Sequence, residues 1–147
     1  MSAHPAWRAM RTGDIAAVKA LSDAIYPPAY SERAEVYAGR LALYPEGCAV
    51  LADGAAIGGY LIAHPWAGAV PPALDTPLGP LPDAPDRLWL HDLALLPACR
   101  GTGAAAAAVA RVTALAVGQA GGQGWPVWLV AVGDAAGPPT RGASLRA

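Results

Sequence analysis

Six residues, Arg100-Gly101-Thr102-Gly103-Ala104-Ala105, stand between the apolar run 88–96 and the Ala-rich run 104–117. That order reads as strand, glycine turn, helix. Such a turn aims several backbone N–H groups, at the positive end of a helix dipole, toward one point, which suits a phosphate or pyrophosphate. The donors on offer are the N–H groups of Gly101, Thr102, Gly103, Ala104 and Ala105. Glycine at 101 and 103 permits close approach and a positive φ, Thr102 adds a hydroxyl, and Arg100 adds positive charge. There is no Gly-x-Gly-x-x-Gly followed by a ribose-binding acid, so a Rossmann dinucleotide site is disfavoured. Without Gly-Lys-Ser/Thr there is no P-loop. The chain reads as the holder of a phosphate-bearing cofactor.

The strand before the turn carries the acid–base chemistry. His91 is the leading candidate for a general base, because imidazole titrates nearest neutrality. Asp92 follows it and, if buried, needs hydrogen-bond partners. Strand alternation puts Trp89, His91 and Leu93 on one face and Leu90, Asp92 and Ala94 on the other, so His91 and Asp92 are not expected to line one pocket. His64, before Pro65, belongs at a strand end on the cleft rim, and His4 lies in a frayed end. Cys99 reads as a small loop residue.

The elements that position these residues follow from periodicity. Residues 6–10 read as a first strand. Asp14 starts a helix in which Ile15, Val18, Leu21 and Ile25 recur at helical spacing, ended by Pro27-Pro28. Ser31 caps a second helix with the stripe Ala34, Tyr37, Leu41 and Tyr44. Residues 48–52 and 57–63 read as a hairpin about Asp53-Gly54, with a bulge at Gly58-Gly59. Residues 65–86 hold seven prolines and read as a long loop, either idle surface or the wall or lid of a cleft. Strand 87–96, helix 104–117 and strand 127–132 make a βαβ unit, so its two strands are expected to be parallel. Residues 133–147 show neither period.

Composition sets the frame. A chain of 147 residues argues for one domain, with its core in 6–132 and an atypical tail in 133–147. A net charge of −1 points to neither nucleic acid nor anionic membrane as partner. Neither a spanning segment nor a secretory leader is visible, and Cys48 and Cys99 make neither a disulfide framework nor a metal cluster. The expectation is a cytoplasmic, reduced protein with no metal.

The run from Leu90 to Ala104, with Pro97 in its turn, resembles the central motif of the GNAT superfamily of acyl-CoA N-acyltransferases, (Gln/Arg)-x-x-Gly-x-(Gly/Ala), met here by Arg100, Gly103 and Ala105. The order of elements from Ala6 to about Val132 agrees. The resemblance implies an α/β (α+β) GNAT-type fold, a mixed central sheet flanked by helices, with the C-terminal helix and strands atypical or missing. It implies acetyl-CoA as co-substrate, its pyrophosphate on residues 100–105 and its pantetheine arm along the backbone of Leu93, Ala94 and Leu95. It also implies direct attack of a small-molecule or peptide amine on the thioester, with His91 and Asp92 in the catalytic role. Tyr26, Tyr30 and Trp66 are the expected acceptor-binding aromatics, by analogy with the family's helix–helix loop. The family's C-terminal aromatic acid is not matched by Gly133-Asp134-Ala135-Ala136-Gly137-Pro138-Pro139, as a shifted reading frame would leave it. That departure opens two alternatives: a CoA-binding module with little turnover, or a homodimer whose second copy completes the sheet edge.

Overall fold

Alternating apolar residues build a mixed sheet whose two faces are covered by different helices. The computed structural model describes residues 4–129 and 143–145. In chain order the elements are β1 (Ala6–Ala9), α1 (Ile15–Ile25), α2 (Ala34–Leu43), β2 (Cys48–Asp53), β3 (Ala56–Trp66), β4 (Arg87–Leu95), α3 (Ala104–Val117), β5 (Val127–Leu129) and β6 (Ala143–Leu145). The strands lie side by side in that same order. Every neighbouring pair is antiparallel except β4 and β5, which are parallel across Leu88–Leu90 and Val127–Leu129. The expected βαβ unit is present.

One core packs Ile15, Val18 and Leu21 of α1 and Tyr37 and Leu41 of α2 against Val50, Tyr60, Ile62 and Ala94. The other packs Ala108, Val112 and Ala116 of α3 against Ala49, Leu61, Ala63, Leu88 and Leu90. The contact residues of α3 recur every fourth position and two are alanine, so the helix beds close to the sheet. Trp7 of β1 fixes where it begins, donating its indole N–H to the Ala104 carbonyl at 2.9 Å.

Asp14 works as read, accepting from the Arg11 N–H at 2.8 Å while Arg8 grips both its oxygens. Gly54 turns the β2–β3 hairpin at φ 62°. The bulge falls where the two glycines predict it: Leu51 pairs with Gly59 and Ala52 with Ile57, leaving Gly58 over.

Four expectations need correction. Ser31 does not cap α2; its hydroxyl accepts a hydrogen bond from Lys19 and donates one to Asp23, and the helix begins after Arg33. Its buried face is Val36, Tyr37, Arg40 and Leu41, while Ala34 is exposed: the core-facing stripe includes Arg40, which a purely apolar pattern passes over. β3 runs on through His64 and Pro65 to Trp66, so the Pro-rich loop is 67–86; Pro65 pairs opposite Leu88 where β3 needs no N–H from it. Ala143–Leu145, where the sequence shows no strand period, pairs antiparallel with β5. The expected departure at 133–139 lies outside the described residues.

Gly47, in the turn between α2 and β2, is pressed against β3, and a Cβ there would collide with the Ala63 carbonyl and the Tyr44 ring. Gly47→Ala is expected to lower stability by about 2 kcal/mol or more. Urea unfolding checks it, and the larger gap at Gly39, which has nothing nearby, makes Gly39→Ala the control.

Candidate active site

β4 carries one residue more than β3 at its centre. Ile62 pairs with Asp92 and Ala63 with Leu90, so His91 is the unpaired residue of a β-bulge. Leu90 and Leu93 both point to the α3 face, and Ala94 to the α1 face. The extra residue sends His91 and Asp92 to the same side. Strict alternation predicts the opposite, and the bulge is the reason it fails. Both residues line a cleft of about 500 Å³ with Tyr26, Tyr30, Glu32 and Trp89.

His91 Nε2 lies 2.6 Å from Glu32 Oε1, and their side chains are 4% and 1% exposed. A carboxylate only accepts, so Nε2 carries a proton and donates it to Glu32. In the neutral form of the ring Nδ1 is then the nitrogen with a lone pair. Glu32 Oε2 accepts the backbone N–H of Asp75 at 2.9 Å. Burial pushes the Glu32 carboxyl up, but the hydrogen bond and charge of His91, with the Asp75 N–H, outweigh it and hold the group below the usual carboxylate range.

Asp92 accepts the hydroxyl of Tyr26 at 2.8 Å on one oxygen and that of Tyr60 at 2.6 Å on the other. Burial nevertheless raises its pKa, and burial beside that carboxylate raises those of both tyrosines. Its partners are therefore two tyrosines rather than the backbone N–H groups a structural acid would take.

Behind His91 stands His64, their ring centroids 6.3 Å apart. His64 is buried inside β3 rather than on the rim. Its Nδ1 donates to the Pro65 carbonyl and its Nε2 accepts from Arg40 Nη1, each at 2.9 Å. Arg40 is itself 2% exposed, with Nε and Nη2 unpartnered among the described residues. Burial, with the nearby Arg40 charge, pulls His64 down to about 4, so it stays neutral.

The glycine turn has the geometry the sequence predicts. Gly101 and Gly103 sit at φ 73° and 86°, and Gly103 precedes α3 as its N-cap. The N–H groups of Gly101, Thr102, Gly103 and Ala105 have no partner among the described residues, and that of Ala104 has only a long 3.4 Å contact to Thr102 Oγ1. A Cβ at 101 or 103 would meet nothing, so the space in front of the turn is open. These orphaned donors fit a pyrophosphate. Thr102 spends its hydroxyl inside the turn, on the Cys99 carbonyl at 2.6 Å. Arg100 lies across the end of β4, Nε at 3.3 Å from the Leu95 carbonyl. Leu93, Ala94 and Leu95 pair with β3 on one edge only; β5 meets β4 no further than Leu90 among the described residues. That outer edge borders the cleft at Leu93, and its backbone groups fit an extended polar arm.

Tyr26 and Tyr30 line the cleft as expected, but Trp66 does not. Its indole N–H donates to the Val70 carbonyl at 2.8 Å, because the longer β3 carries the ring into the base of the 67–86 loop. That loop supplies Pro71, Pro72 and Leu74 to the cleft, so it is a wall rather than idle surface. Cys99, read as a small loop residue, packs its sulfur where a Gly58 Cβ would stand. Sequence reasoning missed Glu32 and Asp75. Neither sits in a motif, and only the tertiary fold brings them to His91.

A parallel β4–β5 pair, a glycine turn with unpartnered N–H groups opening α3 and two helices over the opposite face are the frame of an acyl-CoA acyltransferase fold. The family model of the Acetyltransferase (GNAT) family matches residues 15–135, and the chain belongs to that family. Among solved structures, the GphF GNAT-like decarboxylase in complex with isobutyryl-CoA is 28% identical, with a TM-score of 0.74 over 88% of this chain and 67% of that one. The loading GNATL domain of CurA from Lyngbya majuscula gives 14% identity and a TM-score of 0.74 over 86% and 64%. Diaminobutyrate acetyltransferase EctA from Paenibacillus lautus, in complex with L-2,4-diaminobutyric acid and coenzyme A, gives 16% and 0.62 over 88% and 66%. The chain thus spans about two thirds of the length of these structures. No curated protein matches it. No helix among the described residues is long and apolar enough to cross a membrane.

The His64 reading gives a stability test. Folded, His64 holds its proton only below about 4, against 6.5 when free, so the unfolded chain binds more protons between those values. Stability is expected to fall as pH drops through that window, by about 3 kcal/mol in full. Urea unfolding across the window checks it, and His64→Gln should flatten the fall.

Proposed function

We propose that the chain transfers an acyl group, acetyl in the first instance, from acyl-CoA to an amine. The observation that supports this best is the 2.6 Å bond between His91 and Glu32. An amine near neutral pH is mostly ammonium, so a group in the cleft must take a proton from it. His91 Nδ1 is the nitrogen free to do so, directly or through a water. Glu32 holds the ring in the tautomer that leaves Nδ1 bare, and balances the imidazolium once the proton arrives. Asp92, gripped by Tyr26 and Tyr60, adds a second carboxylate to the wall. No lysine or arginine lines the cleft among the described residues, so the field there favours a cationic acceptor.

Bound acyl-CoA supplies the thioester carbonyl. The chain's part is to hold it: the N–H groups of Gly101 to Ala105 take the pyrophosphate, and the outer edge of Leu93, Ala94 and Leu95 takes the pantetheine arm. A thiol leaves readily as its anion, with a pKa of about 8.5, so a strong acid is not required of the chain.

The 28% identity to a GNAT-like decarboxylase favours a second reading. There the chain would remove CO2 from a carboxyacyl-CoA, with His91 returning a proton to the carbon left behind. Two carboxylates in the cleft speak for the amine.

Thiol release from acetyl-CoA with a panel of small amines and peptides tests the first reading. Malonyl-CoA without amine, followed by CO2 release, tests the second. In whichever reaction is found, His91→Ala is expected to lower kcat/KM by about 100-fold or more, and Glu32→Gln by about tenfold. Coenzyme A binding without either product would leave the module that binds and does not turn over.

A further inference from the structure

The loop 67–86 reaches the catalytic pair through one residue. Asp75 sits at φ 52°, a left-handed conformation that residues other than glycine adopt at a cost. Its side chain compensates. Oδ1 accepts the Arg33 backbone N–H at 2.7 Å and Arg33 Nε at 3.1 Å, while Arg33 Nη2 donates to the Asp75 carbonyl at 3.1 Å. Held in that twist, the Asp75 backbone N–H meets Glu32 Oε2 at 2.9 Å. Arg33 adjoins Glu32 in the chain, so the loop and the entry to α2 are fastened at the residue that supports His91.

Glu32 is 1% exposed, and its two oxygens have one donor each, His91 Nε2 and Asp75 N–H. A buried carboxylate stripped of one donor turns to find water or another partner. Here the turn would carry Oε1 off His91. No other described residue donates to Oε2. The remaining charged or titratable groups near the His91 ring are His64, with Arg40 behind it, and Asp92, whose oxygens already serve Tyr26 and Tyr60. The same loop gives Pro71, Pro72 and Leu74 to the cleft wall, so whatever fills the cleft packs on the segment that steadies Glu32.

We propose that Asp75 is a positioning residue for the base: docking of the 67–86 loop through the Asp75–Arg33 clasp fixes Glu32, and Glu32 fixes the His91 ring. The word base rests on the reading above, and the experiment therefore reads the pair without turnover, so either idea can fail alone.

Proton–nitrogen NMR of the full chain with labelled histidine reports the His91 Nε2 proton, which a buried bond to Glu32 protects from exchange. Amide hydrogen exchange reports the loop. Three variants separate the possibilities. Asp75→Gly keeps the backbone twist without strain and removes both bonds that Oδ1 accepts, leaving only Arg33 Nη2 on the residue-75 carbonyl. Arg33→Ala removes the side-chain half of the clasp. Asp75→Asn tolerates the same φ and keeps an oxygen for Arg33. The expected result is loss of the protected Nε2 signal, with exchange in 67–86 at least about tenfold faster, in Asp75→Gly, a smaller change in Arg33→Ala, and retention in Asp75→Asn. Unchanged α3 amides show that the fold is intact. A protected Nε2 proton that survives Asp75→Gly overturns the proposal, even if the loop loosens, because the clasp would then be structural only.

Discussion

Between the Ile62–Asp92 pair and the Ala63–Leu90 pair, β4 must fit three residues where β3 supplies two, and the surplus is His91. The bulge breaks the two-residue period at one point. Before it, Leu88 and Leu90 pack under α3; after it, Ala94 packs under α1 and Leu93 under α3. Between these anchors two successive polar side chains face the same helices. Neither could be buried singly without cost. His91 is satisfied by Glu32 from the entry to α2, and Asp92 by Tyr26 at the end of α1 and Tyr60 of β3. The bulge therefore fixes which residues the helix–helix connection must offer.

The glycine turn was legible because it is local. A strand, two glycines that need positive φ and an alanine helix are adjacent in sequence, and a backbone anion site needs nothing from elsewhere. The hairpin, its bulge and the parallel β4–β5 pair were legible for the same reason. The arrangement around His91 and Asp92 was not. Periodicity assumes a regular strand, so it assigned His91 and Asp92 to opposite faces, and nothing in the sequence around 91 marks a bulge as Gly58-Gly59 does in β3. Glu32 and Asp75 are single acids in irregular segments, and their roles exist only after residues 43 positions apart are brought within 2.9 Å. Trp66 was misplaced because Pro65 suggested the end of a strand that in fact continues past it.

The burial of His64 and Arg40 shows how charge is arranged behind the site. Arg40 is a cation enclosed by the core, with a neutral imidazole rather than a carboxylate against it. Its field reaches Glu32 and Asp92, the two acids of the cleft, and favours the charged form of both. His64 stands between that cation and His91, fixed as an acceptor toward Arg40 by the Pro65 carbonyl on its other nitrogen. A neutral spacer keeps the guanidinium from pairing directly with Glu32. Were they paired, Glu32 would have a permanent cation to serve in place of the His91 imidazole. Kept apart, Glu32 remains ionised without being neutralised, which is the state a carboxylate needs if it is to hold His91 in one tautomer and then balance its charge.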